Sequence, residues 1–264
     1  MIPLLLIDDP MPGVVRLTLN RPEKKNALNN SLRGALFREF RRADASRETS
    51  VVIIRGAGDC FSAGYDLGEK REPSEREATV SEGWWSRLAI TNWFEMWDLS
   101  AVFIAQIHGY CLAGASELAA ACDLAYVSDD AQIGYPPVRR ISPPATAWQP
   151  WLLGPRHGME ALLTGDAMSG PEAAAWGFAN RSLPSAELEE EVLRVAGRVA
   201  SVPLDLTAHN KRVARRMIDS TGVRDGLRWA ADLQPLAFHS KSSKEYTRAL
   251  QSEGVAKGID DLRK

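Results

Sequence analysis

Along the first half of the chain, short apolar runs recur between polar turns. Val14 to Asn20 alternates Val15, Leu17 and Leu19 with Arg16 and Thr18, which predicts a half-buried strand. Asn29 or Asn30 then offers an N-cap. Leu32, Leu36, Phe40 and Ala43 follow at helical spacing, predicting an amphipathic helix. Val51 to Arg55 is a short, continuously apolar run of the kind covered on both faces. Val102 to Ile107 predicts a second such strand and Leu124 to Val127 a third. Strands alternating with helices predict an α/β fold with layered sheets.

Past Gly154 the strand signals fade. Ser169-Gly170-Pro171-Glu172 reads as a capping box with proline in the first turn, and Gly177 closes the helix it starts. Leu188, Val192, Val195 and Val199 predict another amphipathic helix, which Pro203 ends. Two more helical stretches follow, around Lys211 to Met217 and from about Arg224 to Ser240. The chain divides on this reading into an α/β body, residues 1–199, and an α-helical C-terminal region, residues 200–264. Apolar positions in that region predict docking on the body or on a neighbouring subunit.

Composition narrows the class without choosing a function. The 264 residues are 45% hydrophobic and 25% charged, the profile of a globular protein able to bury a core without staples. Thirty-two Lys plus Arg against thirty-four Asp plus Glu leave a net charge of −2, which argues against a general hold on nucleic acid or anionic membrane. Cys60, Cys111 and Cys122 are scattered and form no metal-ligand spacing, so no metal is expected and buried thiols in a reducing compartment are. The apolar stretch Met1 to Ile7 lacks a basic lead and runs into Asp8 and Asp9, unlike a signal peptide. No apolar run approaches the roughly 20 residues that span a bilayer. A cytoplasmic protein is the expectation.

Three segments carry candidate chemistry. Phe61-Ser62-Ala63-Gly64-Tyr65-Asp66-Leu67 follows the buried strand at 51–55, and its small residues let backbone amides approach a ligand. His108 to Leu118 passes from a strand through a small-residue turn into an alanine-rich helix. Gly114 then opens that helix, where amide donors lack intrahelical partners, and Glu117 falls in the first turn. Ile133-Gly134-Tyr135-Pro136-Pro137-Val138-Arg139-Arg140 is a rigid, proline-fixed loop. Singly, each is also what an ordinary turn contains.

Together, and in order, these segments resemble the enoyl-CoA hydratase/isomerase (crotonase) family. The resemblance starts at Leu19 to Leu28, similar to the family's N-R-P-x-x-x-N-A-L opening. It continues through Phe61–Leu67, His108–Glu117, Cys122-Asp123, Leu163-Thr164-Gly165 and Ala173 to Gly177. It implies a crotonase-like superhelix of ββα units with an α-helical C-terminal region that builds trimers or dimers of trimers. It implies an acyl-CoA thioester as substrate, with no separate cofactor because coenzyme A is part of the substrate. By the same resemblance the Tyr65 and Gly114 amides would hold the thioester oxygen, and Glu117 matches the first catalytic carboxylate. Lys24, Ala27, Ala63, Gly64, Asp66, Leu67, Trp85, Tyr135 and Pro137 fall at substrate-contacting positions.

The departures bear on mechanism. Where hydratases of the family carry a second glutamate in a pattern like F-G-x-P-E, this chain has Pro137, which can neither give nor take a proton. Two-glutamate hydration is therefore not expected, and Tyr135, Arg139, Arg140 or Glu69 are candidates for the missing group. Ala113 and Ala115 stand where the family has glycines and are expected to narrow the thioester's approach. Trp85, Ala89, Trp93 and Trp97 share one helix face beside the expected acyl pocket, with Trp148 and Trp151 as candidates for its other wall. Lys25, Lys211, Arg212, Arg215 and Arg216 join Lys24 as candidate phosphate contacts. His108 reads as structural, while His157, His209 and His239 show no partner in sequence. A hydratase or isomerase is the leading reading. A crotonase-fold hydrolase or decarboxylase, or a catalytically impaired CoA-binding protein, are the alternatives.

Overall fold

The computed structural model describes residues 2–69 and 83–254. Nine strands form two sheets among these residues. The large sheet runs β1 (Leu5–Met11), β2 (Val14–Leu19), β3 (Val51–Gly56), β4 (Val102–Ile107), β6 (Leu124–Ser128) and β9 (Arg181–Leu183). β1 pairs antiparallel with β2, and every later pairing in this sheet is parallel. The small sheet joins β5 (Tyr110–Leu112), β7 (Gln132–Gly134) and β8 (Met168–Ser169).

Helix α1 (Asn30–Ala45) starts at Asn29, whose side chain accepts from the Leu32 amide, and buries the predicted face. α2 (Trp84–Asp98) and α3 (Gly114–Ala121) pack beside it on one face of the sheet, over Val52 and Ile54 of β3. The other face, with Val51 and Ile53, is covered by α7 (Ser185–Ala200) through Leu188, Val192 and Ala196. This corrects the half-buried reading of β2. Its Thr18 is buried, and Arg16 is tied to Asp8 and to Glu189 of α7, so the nominally polar face meets a helix rather than water. Between α3 and α7 lie α4 (Trp148–Leu152), α5 (Gly154–Thr164) and α6 (Gly170–Trp176). α6 begins with the expected capping box at Ser169 and Glu172 and ends at Gly177.

The C-terminal helices are α8 (Leu204–Asp219), α9 (Val223–Phe238) and α10 (Lys241–Glu253), the last not read from sequence. α8 and α9 dock on the body of the same chain, and α10 packs against α9. Val223, Leu227 and Ala231 of α9 pack against Ile90, Phe94 and Trp97 of α2. On α8, Lys211 and Arg215 both pair with Asp123, at 2.9 and 2.6 Å. Lys211 also donates to the Met96 and Ala101 carbonyls, so both cations are buried in a structural cluster. That argues against their assignment as phosphate contacts: both are buried and already engaged by Asp123 and by backbone carbonyls.

Candidate active site

The opening motif is a clamp. Asn26, fully buried, donates to the Ala57 and Cys60 carbonyls, and its Oδ1 accepts from the Arg21 amide. Arg21 reaches the Ala27 carbonyl and pairs with Asp66 at 2.9 Å. These bonds hold residues 61–66 between two neighbouring segments. Leu28 donates to the Gly64 carbonyl and accepts from the Asp66 amide, while Ser62 bridges to Cys111 in β5. Arg21 and Asn26 are the positioning residues that sequence reasoning passed over. The quoted N-R-P-x-x-x-N-A-L run was the signal for them.

Gly64 sits at φ +98°, where a side chain is strained. A Cβ there would lie 2.6 Å from the Leu112 carbonyl and 3.0 Å from the Gly114 nitrogen. Only glycine allows this approach, which brings the Gly64-Tyr65 backbone against the start of α3. Gly114 is needed for a second reason, since a Cβ on it would meet the Tyr65 ring at 2.5 Å. Ala113, just before it, holds φ +51° and ψ −126°, a conformation costing a non-glycine residue about 1–3 kcal/mol. The family's glycine at this place suits that backbone. Ala115 is packed in the core.

Glu117 is 1% exposed and doubly held. Its Oε2 accepts from the Tyr65 hydroxyl at 3.0 Å, and its Oε1 accepts from the Thr146 amide at 3.0 Å. Burial raises its pKa above the ordinary carboxylate value, and the Thr146 amide and Tyr65 hydroxyl partly oppose that rise. Burial and the Glu117 charge push the Tyr65 phenol well above its usual value. The Tyr65 ring meets Trp85 edge-on at 5.2 Å. The buried Arg33 guanidinium of α1 lies 4.3 Å from the Trp85 ring centre and 5.5 Å from that of Tyr65.

Glu117, Tyr65, Gly114, Gly64 and Trp85 are thus brought together, while Ala63 is tied to the Lys25 carbonyl and Asp66 to Arg21. The Tyr65 side chain was missed, because the resemblance spoke only for its amide. Tyr135 is buried and stands near enough to the Tyr65 phenol to disfavour its ionisation. Pro137 is buried in a 3-10 turn, and its carbonyl accepts the amides of Arg140, Ile141 and Ser142. Leu67 is partly buried and Lys24 exposed, while Lys25 is occupied by Asp59.

The other candidates lead elsewhere. Arg139 turns to the Thr164 carbonyl and Asp166, Arg140 is exposed, and Glu69 accepts from the Asn30 amide at the start of α1. None of these three makes a hydrogen bond or ion pair to Glu117 among the described residues. Trp148 packs at a tilt on Phe178 and Trp151 on Trp97, so both serve packing. His108 bonds the Gly58 carbonyl, His157 stacks on Trp176 and His209 contacts the Asp205 carbonyl. Among the described residues no helix is long and apolar enough to cross a membrane, and no three His, Cys, Asp or Glu side chains gather as a metal-holding group.

A sequence model of the enoyl-CoA hydratase/isomerase family matches residues 10–254. A Mycobacterium tuberculosis (strain ATCC 25618 / H37Rv) protein named as an enoyl-CoA hydratase is 30% identical over 236 residues, 81% of this chain and 74% of the relative. A Mycobacterium bovis protein of the same description is 27% identical over 260 residues, 97% of this chain and 95% of the relative. The crystal structure of an enoyl-CoA hydratase/isomerase from Xanthobacter autotrophicus Py2 superposes with a TM-score of 0.88 at 29% identity. The match covers 99% of this chain and 98% of that one. The fold is the crotonase fold, an α/β body with a helical C-terminal region. By the extent of these matches the chain belongs to the enoyl-CoA hydratase/isomerase family.

Proposed function

We propose that the chain transforms acyl-CoA thioesters by enolate chemistry with Glu117 as its proton carrier. The observation that carries this reading is the apposition of Gly64-Tyr65 with Gly114, directly over the first turn of the helix that holds Glu117. A thioester oxygen seated between the Tyr65 and Gly114 amides gains negative charge when the α-carbon loses its proton. Two preorganised donors then stabilise that charge, and losing one of them typically costs about 2.7–4 kcal/mol of barrier. Glu117, buried and with a raised pKa, takes the α-proton and returns it to another carbon.

With Pro137 in place of the second acid, one-base chemistry fits better than water addition. Double-bond isomerisation, or elimination from a β-substituted acyl-CoA, needs only one carrier. The Tyr65 hydroxyl positions and polarises the Glu117 carboxylate. The test offers the protein enoyl-, 3-hydroxyacyl- and β-dicarbonyl-CoAs and follows thioester mass. Glu117→Gln is expected to abolish turnover while acyl-CoA still binds. Efficient crotonyl-CoA hydration by the unmodified protein, or undiminished turnover in Glu117→Gln, overturns the reading.

A further inference from the structure

Arg33 stands where helix stability does not ask for a cation. It lies in the first turn of α1, the helix end whose dipole disfavours positive charge, and that turn holds no acidic residue to offset it. It is 9% exposed, and burying a guanidinium is costly unless an anion meets it. Among the described residues its one side-chain hydrogen bond runs from Nη1 to Asn30 Oδ1, at 3.1 Å, and no carboxylate comes within ion-pair distance. Many exposed arginines also lack an ion pair among the described residues, but Arg16, Arg21, Arg215 and Arg224, which like Arg33 are drawn into the fold, each hold a carboxylate at 2.6–2.9 Å.

Its surroundings point to the reacting centre. Cζ lies over Trp85 and within 5.5 Å of the Tyr65 ring centre, and that ring's hydroxyl is bonded to Glu117. The carboxylates that act on Arg33 from neighbouring segments, beyond ion-pair distance, are those of Glu69 and Glu117. Glu69 is itself engaged by the Asn30 amide and Glu117 by Tyr65 and Thr146. Neither is placed to satisfy the guanidinium fork, whose geometry matches a carboxylate bidentately.

We propose that Arg33 is a specificity determinant that receives a carboxylate on the acyl group, so that the preferred substrates are thioesters whose acyl chain itself carries an acid. The proposal rests on the acyl-CoA reading above and deepens it. The wall formed by Trp85 and Tyr65 holds the guanidinium plane, and the incoming carboxylate supplies the counter-charge that no described residue places within ion-pair distance.

The test is calorimetric titration with saturated, unreactive thioesters. Succinyl-, glutaryl- and adipyl-CoA are compared with butyryl-, valeryl- and hexanoyl-CoA, and free CoA serves as a third arm. The wild-type protein is expected to bind a carboxyl-tailed thioester at least tenfold tighter than its plain counterpart of matched length. Arg33→Met is expected to bring that ratio close to one, and Arg33→Lys to leave it in between. Equal or weaker binding of all three carboxyl-tailed thioesters overturns the proposal while leaving the acyl-CoA reading intact. A fall in free CoA affinity in Arg33→Met as large as the fall for the carboxyl-tailed thioesters also overturns it, since Arg33 would then serve the phosphates. Binding of no thioester removes both readings. The wild-type ratio decides the matter even where a variant fails to fold.

Discussion

At the scale of single residues the site turns on how Glu117 is held. The Tyr65 hydroxyl and Thr146 amide both favour its charged form, against a burial that favours the neutral one. Removing the hydroxyl in Tyr65→Phe is therefore expected to raise the Glu117 pKa further. If Glu117 works as a base, the acid limb of kcat/KM against pH then moves to higher pH, with the packing against Trp85 kept. A limb that stays in place would show that Tyr65 only fills space. Stability offers an independent reading of the same group. A carboxyl whose folded pKa is raised keeps its full contribution below the unfolded value of about 4.5 and loses it as pH rises through the folded value. Glu117→Gln is exempt from that loss. The melting temperature of the variant minus that of the wild type is thus expected to grow from about pH 4 to about pH 8. A flat difference would mean that Glu117 titrates like a solvated carboxylate.

At the scale of elements, α8 is fastened by charge as much as by apolar contact. Asp123 follows α3, and its carboxylate takes Lys211, Arg215 and the Phe103 amide together. Asp123→Asn strands two buried cations, and breaking a buried pair in this way typically costs about 3–5 kcal/mol. Urea unfolding is expected to show a midpoint lowered to match, and a loss under about 1 kcal/mol would place the pairs with weak surface bridges. Elements bound by local rules were the legible ones. The Asn29 cap, the capping box at Ser169 and the two-sided runs of β3 and β4 each rest on residues within a few positions of one another. β1 was not, because its edge position leaves Leu6, Ile7, Asp8 and Asp9 all exposed, so its sequence carries no alternation. The roles of Lys211, Arg215 and the Tyr65 side chain were not legible either. Each is decided by a partner across the fold, at Asp123 or Glu117, and no local spacing encodes such a meeting.

At the scale of the whole molecule, the C-terminal helices satisfy one face each and leave another bare. α9 buries Val223, Leu227 and Ala231 against α2, yet Trp229, Leu233 and Leu236 on its other side are exposed. α8 likewise leaves Leu206, Val213 and Met217 in solvent. Six large apolar side chains exposed on two adjacent helices are of the kind that marks subunit contact. The trimer, or dimer of trimers, implied by the family resemblance would cover it. Light scattering at micromolar concentration is therefore expected to give a mass of three or six times the 29.0 kDa chain. Trp229→Glu combined with Leu233→Glu adds charge where burial is needed and leaves the intrachain face of α9 intact. That variant is expected to run as a folded monomer with an unchanged far-ultraviolet spectrum. A monomeric wild-type mass would refute the assembly. A charged variant that still forms trimers would move the contact to another face of the molecule.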